Sequence, residues 1–272
     1  MSSLPQKKKK TPDYFHCIED KRLRDSVYEP EADTFVFLDG LDKDEAFLLS
    51  HLRGVPTSTT SEPPRARRFL EVGCGSGTVI SHLESILGWT PGDEYHVVDI
   101  NPIALEAADL TWRKSVADCP PPSLNGGSKP PLHKHLGDLF APFSSEAGDD
   151  APVLFDVVLF NPPYVPTSSD ELDKAIAGGD VITAAWCGGP RGRVVVDRFL
   201  KELPKYLDPT CGVAYVIAIK ENDVEDMIRF VREECGFAVG GQEVGVSVVF
   251  RRYTSEDLSL IKIQRNAIKR DE

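Results

Sequence analysis

Leu70-Glu71-Val72-Gly73-Cys74-Gly75-Ser76-Gly77-Thr78 is the stretch on which the reading of this chain turns. Residues 69–73 are a short apolar run that ends in glycine, as a buried strand does where it enters a turn. Thr78 opens a segment in which Val79, Ile80, Leu83, Ile86 and Leu87 recur at helical spacing. A glycine-rich turn between strand and helix lies at the carboxyl edge of a sheet, where open α/β folds bind ligands. Glycine there lets the backbone turn tightly and come close to the ligand.

Working outward, the alternation repeats. Residues 95–100 read as a strand and 102–116 as a helix, with Pro102 in its first turn where a missing N–H does no harm. Strands are expected at 133–139, 155–160 and 213–219, and helices at 192–207 and 224–235. Residues 237–253 read as two strands joined near Gly245, and 257–269 as a short helix. Residues 33–52 read as one amphipathic helix on Phe35, Leu38, Leu41, Phe47, Leu48 and Leu52. Near-continuous apolar strands alternating with helices imply a parallel sheet covered on both faces. Two strands joined by a tight turn must be antiparallel. The expectation is an α/β fold with a seven-stranded, mostly parallel sheet, an antiparallel last strand and helices on both faces.

The chain has 272 residues, 31 Lys+Arg against 43 Asp+Glu, and a formal net charge of −12. That balance argues against a protein that wraps nucleic acid over a broad surface, which needs Lys and Arg against phosphates. The apolar run 153–160, interrupted by Asp156, falls far short of the ~20 residues that span a bilayer. No secretory signal follows the Lys-rich start. Six cysteines (17, 74, 119, 187, 211, 235) stand singly, without C-x-x-C spacing, so neither a zinc site nor a disulfide framework is expected in this chain. A cytoplasmic location is expected, with Lys7–Lys10 leaving nuclear entry open. Residues 1–25 are expected to be a flexible basic tail, and 26–272 one domain with loop insertions at 54–68 and 117–132, rich in Pro, Gly and Ser.

Three motifs carry chemistry. The glycine loop departs from the G-x-G-x-x-G of dinucleotide sites, since its third glycine comes one residue early and Thr78 holds the sixth position. Glu71 would repel a pyrophosphate but suits a ligand with an amino group and positive charge, such as S-adenosylmethionine, with its sulfonium and α-amino group. Asp99, in Val98-Asp99-Ile100-Asn101-Pro102, ends the next strand where an acidic residue accepts from ribose hydroxyls. Asp138, in Gly137-Asp138-Leu139, is placed to accept from the adenine amino group. Asn161-Pro162-Pro163-Tyr164 follows the strand at 155–160. Two prolines fix two φ angles and remove two donors. Asn161 offers an amide acceptor and Tyr164 a flat aromatic wall. Together they form a slot for a planar group bearing NH2. Hydrogen bonds from that NH2 to the Asn161 oxygen and the Pro162 carbonyl would draw density to nitrogen and aim it at the sulfonium methyl, for direct displacement governed by orientation. None of the six histidines (16, 51, 82, 96, 133, 135) is expected to be catalytic.

These motifs resemble the HemK-like glutamine N5-methyltransferases, and among them the eukaryotic class acting on the translation termination factor. The resemblance runs through Val27-Tyr28-Glu29-Pro30, Asp33-Thr34-Phe35, residues 70–77, Asp99–Pro102, Gly137–Leu139 and 155–165. It continues in Ala184-Ala185-Trp186, Gly188-Gly189, Gly192-Arg193, Asp197-Arg198-Phe199 and Lys220-Glu221-Asn222. It implies a class I S-adenosylmethionine-dependent methyltransferase fold, with S-adenosylhomocysteine as product. The substrate it implies is the glutamine of a Gly-Gly-Gln loop in the class 1 release factor, and it leaves open whether that factor is bound to its GTPase partner and GTP. It implies a small zinc-binding activator subunit as partner, with the zinc in that subunit. By resemblance, Tyr28, Thr34, Glu71, Gly73, Cys74, Gly75, Gly77, Asp99, Ile100, Asp138, Leu139 and Asn161 contact the cofactor, and Asn161, Pro162, Pro163 and Tyr164 hold the glutamine amide. Glu29-Pro30-Glu31-Ala32-Asp33-Thr34 departs from the usual Glu-Pro-Ala-Glu-Asp-Thr order. A Gly240-Gly241-Gln242 tripeptide within the chain reads as coincidence. The rival activities are a protein lysine methyltransferase, whose substrate is not planar, and an adenine N6-methyltransferase, which usually carries a basic target-recognition region.

Overall fold

Val157–Phe160 and Val213–Ile219 are buried at every position, on both faces, and the rest of the molecule is built around them. The computed structural model describes residues 9–53, 66–90, 92–117, 130–144, 152–177, 179–237 and 244–265. In chain order the helices are α1 (His16–Glu19), α2 (Lys21–Arg24), α3 (Ala32–Lys43), α4 (Glu45–Arg53), α5 (Thr78–Leu87), α6 (Pro102–Ala117), α7 (Ser169–Ala177), α8 (Val181–Trp186), α9 (Val194–Tyr206) and α10 (Val224–Glu233). The strands are β1 (Arg68–Val72), β2 (Glu94–Asp99), β3 (Leu132–Leu136), β4 (Val157–Phe160), β5 (Val213–Ile219), β6 (Val244–Tyr253) and β7 (Asp257–Arg265).

The sheet order is β3-β2-β1-β4-β5-β7-β6. β3, β2, β1, β4 and β5 pair in parallel, and β7 is antiparallel to both β5 and β6. The period of two sends alternate side chains to opposite cores. Phe69, Val157 and Leu159 join Leu83 of α5 and Val36 of α3, whereas Leu70, Val158 and Phe160 join Phe199 of α9 and Met227 of α10. β1 pairs with β2 on one side and β4 on the other, so the strand order reverses there and opens a crevice at their carboxyl ends. Among the described residues, no helix is long and apolar enough to cross a membrane.

Four expectations need correction. The single helix over 33–52 is two, α3 and α4, parted at Asp44. That break lets the Asp44 carboxylate accept from the Tyr215 hydroxyl at 2.6 Å and from Lys262 Nζ at 2.8 Å. The final hairpin is β6 and β7, not two strands within 237–253, and 257–269 is not helical over its described part. Leu258, Leu260, Ile261 and Ile263 of β7 are buried because β7 lies between β5 and β6. A short apolar run buried on both faces does not show its period. The tail does not run to residue 25. Asp20 caps α2 through two backbone N–H groups, and Cys17, Leu23 and Val27 pack on Ala104 and Ala107 of α6. Within the Lys7–Lys10 run, Lys9 pairs with Glu45 at 2.7 Å. Finally, α7 and α8 stand where no element was expected. Most of the expected loop insertions, at 54–65 and 118–129, and all of Gly240-Gly241-Gln242 lie outside the described residues.

Candidate active site at the carboxyl edge of the sheet

A cavity of about 780 Å³ opens above the ends of β1, β2 and β4. It is walled by the turn after β3, by residues 26–34 leading into α3, and by α7 and α8. Tyr28, Thr34, Glu71, Gly73, Cys74, Gly75, Asp99, Ile100, Asp138, Leu139 and Asn161 to Tyr164 all line it, so the sequence motifs converge on one space. Gly77 is the exception among the expected contacts. It stands at the start of α5 with φ of 71°, and a Cβ there would lie 2.7 Å from Ala108 of α6. Its work is to let two helices meet, not to touch a ligand.

The glycine loop is shaped by its backbone. Gly73 and Gly75 have φ of 59° and 49°, a region costly for other residues. Gly75 N–H donates to Asp99 Oδ2 at 3.0 Å, and Asn101 N–H donates to Oδ1 at 2.8 Å. The Asp99 carboxylate is thereby fixed, with lone pairs left on the cavity side. Burial pushes its pKa up, against the pull of those N–H groups. Glu71 is fully buried and accepts the Ile80 N–H at 2.9 Å. Burial raises its pKa to about 8, and the nearby Asp99 adds to the rise. No cationic side chain among the described residues pairs with it. A buried carboxyl without a cation is what a cationic ligand would complete. Ile100, 54% exposed, offers an apolar surface beside Asp99. Leu139 has φ of 49°, a strained backbone for a branched residue, and turns the chain at the cavity wall. Asp138 is exposed and bonded to Arg198 at 2.5 Å, so any adenine contact through it must share that carboxylate with a guanidinium. The Tyr28 hydroxyl faces Glu31 at 3.4 Å.

At the end of β4 the slot is rigid. Asn161 Nδ2 donates to Asp33 Oδ2 at 2.9 Å. Asn161 Oδ1 is buried and has no hydrogen-bond partner among the described residues. An orphaned buried acceptor is costly, and at a cavity wall it marks a place for a donor from outside. Tyr164 is buried, and its hydroxyl donates toward Glu256 at 3.5 Å. Burial, then Asp33, Tyr28 and Glu256, push that hydroxyl's pKa up, so it stays protonated. Asn222 braces the turn from below. Its Nδ2 donates to the Tyr164 carbonyl at 2.8 Å and the Arg191 carbonyl at 2.9 Å, while its Oδ1 accepts Ile219 N–H at 2.8 Å. Gly188 and Gly192 are pressed on the same backbone. A Cβ at Gly192 would lie 1.8 Å from the Tyr164 oxygen, and one at Gly188 2.5 Å from the Pro163 oxygen. No described histidine lines the cavity. His16 bonds the Ala107 carbonyl, His82 bonds Asp42, and His96 lies between Glu94 and His135.

The comparisons with known proteins bear on what such a cavity does. No family model matches the chain. It is 32% identical over 252 residues to the human methyltransferase HEMK2, covering 93% of this chain and 96% of that protein. The chain belongs to the HEMK2 methyltransferase family. Another relative, the eRF1 methyltransferase catalytic subunit mtq2 of Schizosaccharomyces pombe, is 29% identical over 243 residues, 88% of this chain and 89% of that one. The fold is shared with E. cuniculi Mtq2, solved in complex with Trm112, at a TM-score of 0.50 and 22% identity over 88% of this chain and 98% of that one. Four features of the site lie beyond what the motifs of the sequence imply. Asp33 bonds Asn161, Glu256 faces Tyr164, Arg198 holds Asp138, and the exposed Ile176 and Trp186 of α7 and α8 flank the opening. Asp33, Arg198 and Trp186 stand inside motifs that the sequence displays; nothing in the sequence marks Glu256 or Ile176.

Proposed function

We propose that this chain transfers a methyl group from S-adenosylmethionine to the side-chain amide nitrogen, N5, of the glutamine in the Gly-Gly-Gln loop of a class 1 release factor. The observation that carries the proposal is Asn161 Oδ1, a buried acceptor with no partner among the described residues, at the wall of a methyltransferase cavity. A primary amide brings two N–H donors in one plane. One meets Asn161 Oδ1 and the other the Pro162 carbonyl, with the Tyr164 ring against the plane. Those two bonds shift density to the amide nitrogen and hold its lone pair toward the cofactor end of the cavity.

The residues of the glycine loop suit the cofactor. Glu71 would hold the α-amino group, Asp99 the ribose hydroxyls, Ile100 and Leu139 the adenine faces, and Thr34 and Tyr28 the methionine end. The cofactor supplies a methyl group on a positively charged sulfur. With the cofactor bound, the amide nitrogen would take that methyl group as the S–C bond breaks, S-adenosylhomocysteine would leave neutral, and the amide would shed one proton to water. Orientation supplies much of the rate, and no strong base is required. Mtq2 of S. pombe carries eRF1 methyltransferase in its name, and Mtq2 of E. cuniculi is found with Trm112. Both support a release factor as substrate and a small activator subunit as partner. The proposal extends to zinc within that subunit, to a release factor presented with its GTPase partner and GTP, and to a cytoplasmic enzyme with access to the nucleus. Glu31, Asp33 and Glu256 around the slot make it hostile to phosphate, which weighs against adenine in nucleic acid.

The test is Asn161→Ala in the complex with the activator. Turnover on the release factor should fall on the order of 10²–10³-fold, with cofactor affinity kept within about threefold. Unchanged turnover would overturn the proposal.

A further inference from the structure

We infer that Asp33 is the positioning residue of the acceptor slot: it holds the Asn161 amide in the one orientation that turns its oxygen to a substrate N–H. The inference rests on the reading above, that the slot takes a glutamine side-chain amide. The two ends of an asparagine amide are nearly the same size, and only their hydrogen bonds tell them apart. Asn161 sits just past β4, where its own strand offers no such distinction. Asp33 makes it. The residue is 3% exposed, lies in the first turn of α3 and reaches across 128 positions of sequence.

An ionised carboxylate only accepts. Asp33 Oδ2 takes the Asn161 Nδ2–H at 2.9 Å while Oδ1 takes the Thr34 N–H at 2.8 Å, so the carboxylate is itself pinned. Turning the Asn161 amide over would set its oxygen against a carboxylate oxygen. It would also present Nδ2 to the substrate NH2, donor against donor. Each mismatch disfavours the flipped form by about tenfold or more. The orphaned state of Asn161 Oδ1 is thus the consequence of Asp33, which commits the amide before any substrate arrives. A negative charge behind Nδ2 also moves density along the amide to Oδ1 and strengthens it as an acceptor. After burial, Asp33 also helps to keep the Tyr164 hydroxyl protonated, so one side chain acts on both walls of the slot.

The experiment measures binding of two release factors, one with Gly-Gly-Gln and one with Gly-Gly-Ala, to the activator complex saturated with S-adenosylhomocysteine. Wild-type protein should prefer the glutamine form by about tenfold. Asp33→Ala should abolish that preference, leave affinity for the alanine form and for S-adenosylhomocysteine within about twofold, and lower kcat at least ~30-fold. Asp33→Asn keeps one acceptor oxygen, enough for Asn161 or for Thr34 but not for both, and should recover part of the preference; it also guards against a folding defect in the alanine variant. A merely structural role would weaken binding of both factors alike. That result, an intact glutamine preference in Asp33→Ala, or a loss of cofactor affinity equal to the loss of turnover would overturn the inference. A wild-type complex without preference would overturn the glutamine reading itself, and it is scored before any variant is made.

Discussion

Glu71 keeps a proton that most carboxylates have lost at neutral pH. Its pKa in the folded protein is raised to about 8 from the ordinary 4.5, chiefly by burial. The folded state therefore binds a proton that the unfolded chain releases, and stability falls as pH rises through the window from 4.5 to about 8. The contribution is full below that window and spent above it. Glu71→Gln should flatten this part of the profile in ligand-free protein, measured by denaturant midpoints from pH 5 to pH 8; an unchanged slope would contradict the assignment. A cationic ligand restores the ionised form, so cofactor binding near pH 7 should release a proton. Calorimetry in two buffers of different ionisation enthalpy reads that release, and Glu71→Gln should remove it. Glu71, Asp99 and Asn161 were readable in the sequence because the chemistry of each is tied to a short motif at a strand end. The part played by Asp33 was not, because it consists of one hydrogen bond between α3 and the end of β4.

Gly192 shows how an element fixes a site it does not enter. Its φ is 66°, and the Tyr164 carbonyl occupies the space a Cβ would need. Gly192→Ala should cost roughly 2 kcal/mol or more, from left-handed strain and from displacement of the turn. Both the melting temperature and the affinity for the glutamine-bearing factor should fall, whereas a loss of stability with unaltered substrate affinity would place the brace elsewhere. α1 and α2 make a second case. Removing residues 1–25 strips Cys17 and Leu23 from α6, and buried Leu alone is worth about 1.5–3 kcal/mol. That truncation should lower the denaturant midpoint. An unchanged midpoint would contradict the packing. These two helices escaped the sequence reading because each is four residues long, too short to display a period. β7 escaped for the opposite reason, since burial on both faces erased the alternation that marks a strand. Helices α5, α6, α9 and α10, whose apolar residues keep a helical spacing in the sequence, were found to within a few residues.

The whole molecule gathers its chemistry at one end, the carboxyl edge of the sheet. The strand order that reverses at β1 and β4 makes the crevice; in the proposed function the glycine loop and Asp99 suit one half of it to a cationic nucleotide, and the turn after β4 suits the other half to a planar amide. A net charge of −12 and the carboxylates at the slot direct this cavity toward a protein substrate and away from phosphate backbones. Intact mass of the release factor after incubation with S-adenosylmethionine and this chain, co-expressed with the activator, puts the proposal to the proof. The expected result is a gain of one methyl group on the factor with Gly-Gly-Gln and none on a Gly-Gly-Ala variant. Failure to modify the first, with cofactor binding established separately, or equal modification of both, would contradict the glutamine assignment.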